Sequence, residues 1–163
     1  MQSNGKSVLN RRAGIAFLVL AVAGLFSVRG AFPQAPAQPT RKVIRLAEDN
    51  PQAPFSGGIL TGNTLYLAGR IGLDKSGKAP AEVSDEIKIL LDQIKATLEQ
   101  AGMSMDDLVY VQIACTDLSL FDKFNAAYRT YFTTKDLPAR EFIGVASLLR
   151  GGHFEIQGIA VRR

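Results

Sequence analysis

Short runs of apolar residues, many alternating with polar ones, divide the chain after Arg41 into strands and helices. Two apolar runs flank Gly62 and Asn63, and this pair predicts a hairpin because both residues tolerate a positive φ angle. Runs rich in β-branched residues predict the later strands. The expected strands cover residues 42–47, 57–61, 64–69, 108–115, 142–146 and 154–161.

Two stretches with helical spacing lie between these strands. Residues 81–101 carry an apolar stripe with intervals of three and four, followed by Gly102 as a stop signal. Ser119 is the expected cap of a second helix with an aromatic face. The stripe residues are Ile87, Leu90, Leu91, Ile94 and Leu98, and the aromatic residues are Phe121, Phe124, Tyr128 and Tyr131.

The resulting order β-β-β-α-β-α-β-β predicts an α+β fold, with two helices packed on one face of a mixed sheet. Strand alternation leaves apolar residues on the other face as well, so we expect a second copy of the chain to cover them. If the last two strands form a hairpin through residues 147–152, Arg140 lies opposite about residue 159.

The composition is that of a globular protein, with 47% hydrophobic and 21% charged residues in a chain of 163. Its net charge of +4 comes from residues 1–30, which hold four basic and no acidic residues. Basic and acidic residues therefore balance over 31–163, and bulk charge gives no support for a nucleic-acid partner. A single cysteine, Cys115, excludes an intrachain disulfide and a multi-cysteine zinc site.

The N-terminus has the pattern of an export signal. Lys6, Arg11 and Arg12 precede an apolar run over 13–26, which is shorter than the roughly 20 residues of a membrane-spanning helix. We therefore predict a signal peptide over 1–30, a Pro/Ala-rich linker over 31–40 and a folded domain over 41–163. The mature protein is expected to be periplasmic or secreted, without stable membrane insertion. An uncleaved membrane anchor is the alternative reading.

Few side chains suggest chemistry by themselves. His153 is the sole histidine and is expected at the surface, and Cys115 is expected to be a buried small hydrophobe. Charges on the first helix, including Glu86, are expected to face solvent. Arg140 precedes a strand and Glu155 lies inside the last one, where a carboxylate is disfavoured unless it is exposed or paired. For these two residues a structural and a functional role remain equally open on pattern alone.

A series of short motifs extends from about residue 42 to the C-terminus. They are Ala53-Pro54-Phe55-Ser56, the segments 62–69 and 102–108, Thr116-Asp117, the segment 124–128, Pro138-Ala139-Arg140 and the segment 155–161. In this order they resemble the reactive-intermediate deaminase family, also called RidA-like or YjgF-like proteins and historically named endoribonuclease L-PSP.

The resemblance implies a chorismate-mutase-like subunit that forms a homotrimer with pockets at the subunit interfaces. It implies hydrolysis of 2-imino acids, or their enamine tautomers, to 2-oxo acids and ammonia, as by a 2-iminobutanoate/2-iminopropanoate deaminase. Arg140 would hold the substrate carboxylate and Glu155 would position or activate the attacking water. No metal or cofactor is implied, because an iminium carbon is already electrophilic. The implied substrate-binding residues are Arg140, Phe55, Gly69, Arg70, Asn125 and Phe142.

Three of these positions depart from the family pattern. Phe55 replaces a usual tyrosine, Arg70 replaces a usual glutamine, and Phe142 stands where relatives often have a small residue or cysteine. These changes leave the substrate open. The alternative function is a non-catalytic trimer that binds a small carboxylate or acts as an interaction module. Retention of both Arg140 and Glu155 favours the enzyme, and ribonuclease activity ranks third because the domain is neutral.

Overall fold

The computed structural model describes residues 40–163. The predicted signal peptide, and the predicted linker up to residue 39, lie outside the described residues. Within residues 40–163, none of the helices combines the length and the apolar character that a bilayer crossing requires.

In the part of the chain that the structure describes, six strands and two α-helices follow the predicted order, and the α+β prediction is confirmed. The strands are β1 (Arg41–Ile44), β2 (Gly58–Thr61), β3 (Thr64–Ile71), β4 (Leu108–Cys115), β5 (Ala139–Gly144) and β6 (Phe154–Val161), and the helices are α1 (Val83–Gln100) and α2 (Phe121–Tyr128). The predicted hairpin joins β2 to β3, and of its two turn residues Gly62 has the positive φ, at 59°.

One sheet contains all six strands in the order β1-β2-β3-β6-β4-β5. β4 and β5 run parallel, whereas every other neighbouring pair is antiparallel. β6 is therefore central and β5 is an edge strand. A hairpin of the last two strands is wrong, because β4 lies between them. Arg140 is level with Val111 of β4, which is in turn level with Gly158 of β6.

The core lies between the sheet and the helices. All five predicted stripe residues of α1 are at most 1% exposed. They pack against alternate residues of β3, β4 and β6, including Leu65, Ile113 and Ile156, which are at most 2% exposed. Burial of these apolar side chains is the main stabilising contribution to the fold.

The beginning of α2 differs from the prediction. A 3-10 turn over Leu118–Leu120 precedes the helix, and the Asp117 carboxylate accepts the Ser119 amide at 2.9 Å. The predicted cap at Ser119 is therefore wrong, because Asp117 caps this turn and Ser119 donates its amide to it. The aromatic face is also shorter, since Tyr131 lies in a 3-10 turn after the helix.

The helix-free face of the sheet carries exposed apolar side chains, as expected. Val43, Tyr66, Val109 and Tyr110 are each between 36% and 49% exposed. Beside them, Gln112 donates a hydrogen bond to Glu141 and accepts one from Gln157.

Candidate active site

Arg140 projects from edge strand β5 towards the helices, because its neighbour across the ladder, Val111, is a core residue. Its guanidinium carbon lies 5.1 Å from the ring centre of Tyr128 and within 5.7 Å of the rings of Phe121 and Phe142. Cation–π attraction in such an aromatic surround holds the guanidinium in one place. Phe142, although large, therefore forms one wall of the Arg140 site.

Asn125 fixes one corner of the guanidinium, since Arg140 Nη1 donates to Asn125 Oδ1 at 2.8 Å. The two side chains border a cavity of about 180 Å³ that is also lined by Tyr128, Leu137 and Pro138. A guanidinium has five N–H donors, so donors remain for a bound carboxylate. The predicted partners Arg140 and Asn125 are thus brought together.

Tyr128 has a buried hydroxyl beside this cavity. Burial raises the pKa of Tyr128 to about 12, against the opposing effect of the nearby Arg140 charge. The hydroxyl finds no hydrogen-bond partner among the described residues. It stays protonated at any working pH, so Arg140 faces a neutral ring.

Glu155 projects from β6 to the opposite face of the sheet. Strand alternation requires this, because its neighbours Phe154 and Ile156 are buried under the helices. Its carboxylate lies over Gly69, where a Cβ atom would clash with Oε1. Glu155, Gly69 and Phe55 border one cavity of about 680 Å³. Phe55 is 62% exposed and offers that cavity an aromatic wall.

Arg140 and Glu155 do not converge within one chain. Glu155 is level with Ala114 of β4 and, through it, with Ile143 of β5. At ordinary sheet spacings the backbones of Arg140 and Glu155 are about 10 Å apart along the strands and about 10 Å apart across them. The two side chains also lie on opposite faces, so a single subunit holds two half-sites.

Arg70 does not add a free cation to the site. Its guanidinium forms a two-pronged ion pair with Asp49, with N–O distances of 2.8 and 3.0 Å. Burial acts to raise the pKa of Asp49, but the hydrogen bonds from Arg70 and the Leu46 amide outweigh it and leave that pKa below its ordinary value. Arg70, Gly69 and Phe55 border a further cavity of about 620 Å³.

Glu86 is the residue that the sequence reading missed. It was expected in solvent but is fully buried. Its Oε1 atom accepts the amides of His153 and Phe154 at 2.6 and 3.0 Å, and Oε2 lies 2.7 Å from His153 Nδ1. His153 therefore keeps some surface exposure but is paired to a buried carboxylate. The spacing along the helix could have indicated this burial, because Glu86 precedes Leu90 of the apolar stripe by four residues and so lies on the same face.

The prediction for Cys115 is confirmed. The thiol is fully buried, and burial raises its pKa, which suits a core residue and not a nucleophile. Across residues 40–163 there is no group of three or more side chains arranged to hold a metal ion.

Comparison with known proteins identifies the family. The model of the family described as endoribonuclease L-PSP matches residues 46–162. The chain belongs to this family. The 2-iminobutanoate/2-iminopropanoate deaminase of Escherichia coli K12 is 36% identical over 113 residues, which cover 68% of this chain and 88% of that protein.

Solved structures in the family share the fold. The crystal structure of the E. coli YjgF gene product superposes with a TM-score of 0.66 at 36% identity, covering 75% of this chain and 99% of that one. RidA from the Antarctic bacterium Psychrobacter sp. PAMC 21119 gives a TM-score of 0.69 at 28% identity, with 74% and 99% covered. The predicted resemblance to RidA-like and YjgF-like proteins is confirmed.

Proposed function

We propose that this protein hydrolyses 2-imino acids to 2-oxo acids and ammonia. The observation that carries the proposal is the pair of half-sites. One is the guanidinium of Arg140, which is surrounded by aromatic rings and keeps donors for a ligand, and the other is the carboxylate of Glu155, which lies over Gly69. The names of the deaminase relatives in E. coli and Bos taurus, each 36% identical, support the same chemistry.

In the proposed reaction Arg140 binds the substrate carboxylate through paired N–H donors. Water adds to the electrophilic imine carbon while its proton passes to the Glu155 carboxylate. The proton then returns to the nitrogen of the carbinolamine. As the C–N bond breaks, the remaining hydroxyl proton passes to the Glu155 carboxylate and from there to the departing ammonia, so that the 2-oxo acid and ammonium are released.

Two copies of the chain complete the proposed site, with Arg140 from one and Glu155 from its neighbour. The edge position of β5 supports this arrangement, since Arg140 stands where an adjoining copy can reach it. The exposed apolar residues of the helix-free face support self-association as well. We propose a homotrimer, in line with the family resemblance.

Ammonia release from freshly generated 2-imino acids tests the proposal. Arg140→Ala should raise KM by roughly 30-fold or more, because truncating one partner of a charge pair costs about 2–4 kcal/mol of binding. Glu155→Gln should lower kcat about 100-fold, as expected for loss of a general base. Glu99→Gln, which changes an exposed carboxylate on α1, is the matched control.

Unchanged turnover in Glu155→Gln would contradict the role of Glu155 as general base, and a weakened oligomer in that variant would show that its carboxylate is structural. Absence of ammonia release by the parent protein would contradict the enzyme, and the binding-module function would take its place.

We also propose export of the mature domain after removal of the N-terminal signal. The basic start and the short apolar run over 13–26 support it. Mass spectrometry of the exported protein should find a new N-terminus between Ala31 and Gln38. An intact Met1 in the membrane fraction would favour the uncleaved anchor instead.

A further inference from the structure

Glu86 is a buried carboxylate for which the proposed reaction has no direct use. It lies in the first turn of α1 and is fully buried, and one of its oxygens accepts hydrogen bonds from two successive backbone amides. Burying a charge is costly unless it is well hydrogen-bonded, so the contacts of Glu86 define a specific structural connection.

That connection reaches the residues directly before Glu155. The two amides belong to His153 and Phe154, and Phe154 begins β6. The second oxygen of Glu86 holds the His153 ring at 2.7 Å. The start of the strand is therefore tied to α1 by three contacts at one side chain.

The same tie limits where the Glu155 carboxylate can lie. Phe154 is fully buried beneath the helices, and Glu155 projects the opposite way, over Gly69 of β3. A shift of the Phe154 amide along the strand would carry Glu155 with it, because one strand residue spans only about 3.3 Å. A general base displaced by about 1 Å can lose up to roughly 100-fold in rate.

We propose that Glu86 is a positioning residue for catalysis, which fixes the Glu155 carboxylate by holding the amides of His153 and Phe154. The inference rests on the proposed deaminase function. Glu86 touches no substrate in this account and acts only through Glu155. Its length matters more than its charge, since the contacts to the two amides require an oxygen at that reach.

Two conservative variants separate length from charge. Glu86→Gln keeps an oxygen at the same reach for both amides, so kcat should stay within about threefold of the parent. Glu86→Asp keeps the charge but withdraws the oxygens by one methylene group. It should lower kcat by roughly 10-fold to 100-fold with KM changed by less than about threefold. Leu98→Ala, which leaves a cavity near the other end of the same helix, is the control for lost stability.

A double-mutant cycle with Glu155→Gln distinguishes a positioning role of Glu86 from a purely structural one, because only a positioning role predicts that the two losses of kcat are not additive. Once Glu155 is gone, Glu86→Asp should cost little further activity, because both changes remove the same function. Additive losses in the double variant would overturn the proposal. A tenfold loss of kcat in Glu86→Gln would overturn it as well. Because Glu86→Gln retains the side-chain volume, this second test remains available even if Glu86→Asp fails to fold. Absence of ammonia release by the parent protein would refute the deaminase function itself, so the two failures are distinguishable.

Discussion

The side chain of Arg70 is paired inside the chain. The resemblance led us to expect a glutamine at this position, and the positive charge of the arginine is neutralised by Asp49 at an N–O distance of 2.8 Å. Both side chains are largely withdrawn from solvent, with 11% and 14% exposed. The ion pair thus forms part of the wall of the cavity that Phe55 borders, and the Arg70 guanidinium is not a donor for a ligand there.

Arg70→Gln should destabilise the protein by about 1–3 kcal/mol at pH 7, because it leaves the Asp49 carboxylate without its main partner. The pKa of Asp49 is lowered in the folded state, so its contribution to stability is present above about pH 4 and is lost as the pH falls through the folded pKa. Urea unfolding should therefore show a smaller difference between variant and parent at pH 3 than at pH 7.

Lys88→Gln is the control, since the Lys88–Asp92 pair is 71% and 48% exposed and exposed pairs contribute little. An Arg70→Gln difference that is the same at both pH values would show that lost packing, not the ion pair, is responsible.

At the scale of elements, local spacing was sufficient wherever burial is periodic. β4 and β6 have the predicted bounds, and the stripe of α1 is the buried face. Errors appear where contacts are tertiary. The insertion of β6 between β3 and β4 depends on the whole sheet, and the burial of Glu86 depends on amides 67 and 68 residues away in the chain. Neither leaves a local signature as strong as an apolar stripe.

The same limit applies to the candidate site. Arg140 and Glu155 stood out as charged residues at and inside strands, but their placement on opposite faces follows from the register with β4. Phe55 and Gly69 were predicted through the family resemblance, and the structure brings both to Glu155. For Arg70, the sequence pattern named the added cation but not its partner Asp49, which is 21 residues away.

The contact of central strand β6 with β4 is a point of close packing. At Gly158 an added Cβ would lie 2.7 Å from the Tyr110 carbonyl, next to the irregularity between Leu108 and Tyr110. Gly158→Ala should therefore destabilise the protein by about 1–3 kcal/mol, as overpacking does.

Gly144→Ala is the matched control on β5, because its nearest neighbours are side-chain atoms of Leu118 at 3.3 Å that can move. Urea unfolding of both variants measures the difference. Equal stability of the two would mean that β4 shifts without cost at this position.

At the scale of the whole molecule, one subunit does not bring the two half-sites together. Arg140 and its aromatic cage lie at the sheet edge on the helix side, while Glu155 and Phe55 open on the other side. In the proposed homotrimer each interface would join one half-site of each kind. Light scattering of the mature domain should accordingly give about three subunit masses, and a stable monomer would remove the proposed site.

Subunit mixing tests the two-copy site most directly. Arg140→Ala and Glu155→Gln subunits, each nearly inactive as homo-oligomers, are co-expressed in equal amounts, and native mass spectrometry verifies that they assemble together. If Arg140 and Glu155 act from neighbouring copies, random assembly restores an intact pair at about one quarter of the interfaces. Ammonia release should then recover to about one quarter of the parent rate. Mixed oligomers that remain as inactive as the separate variants would contradict the account.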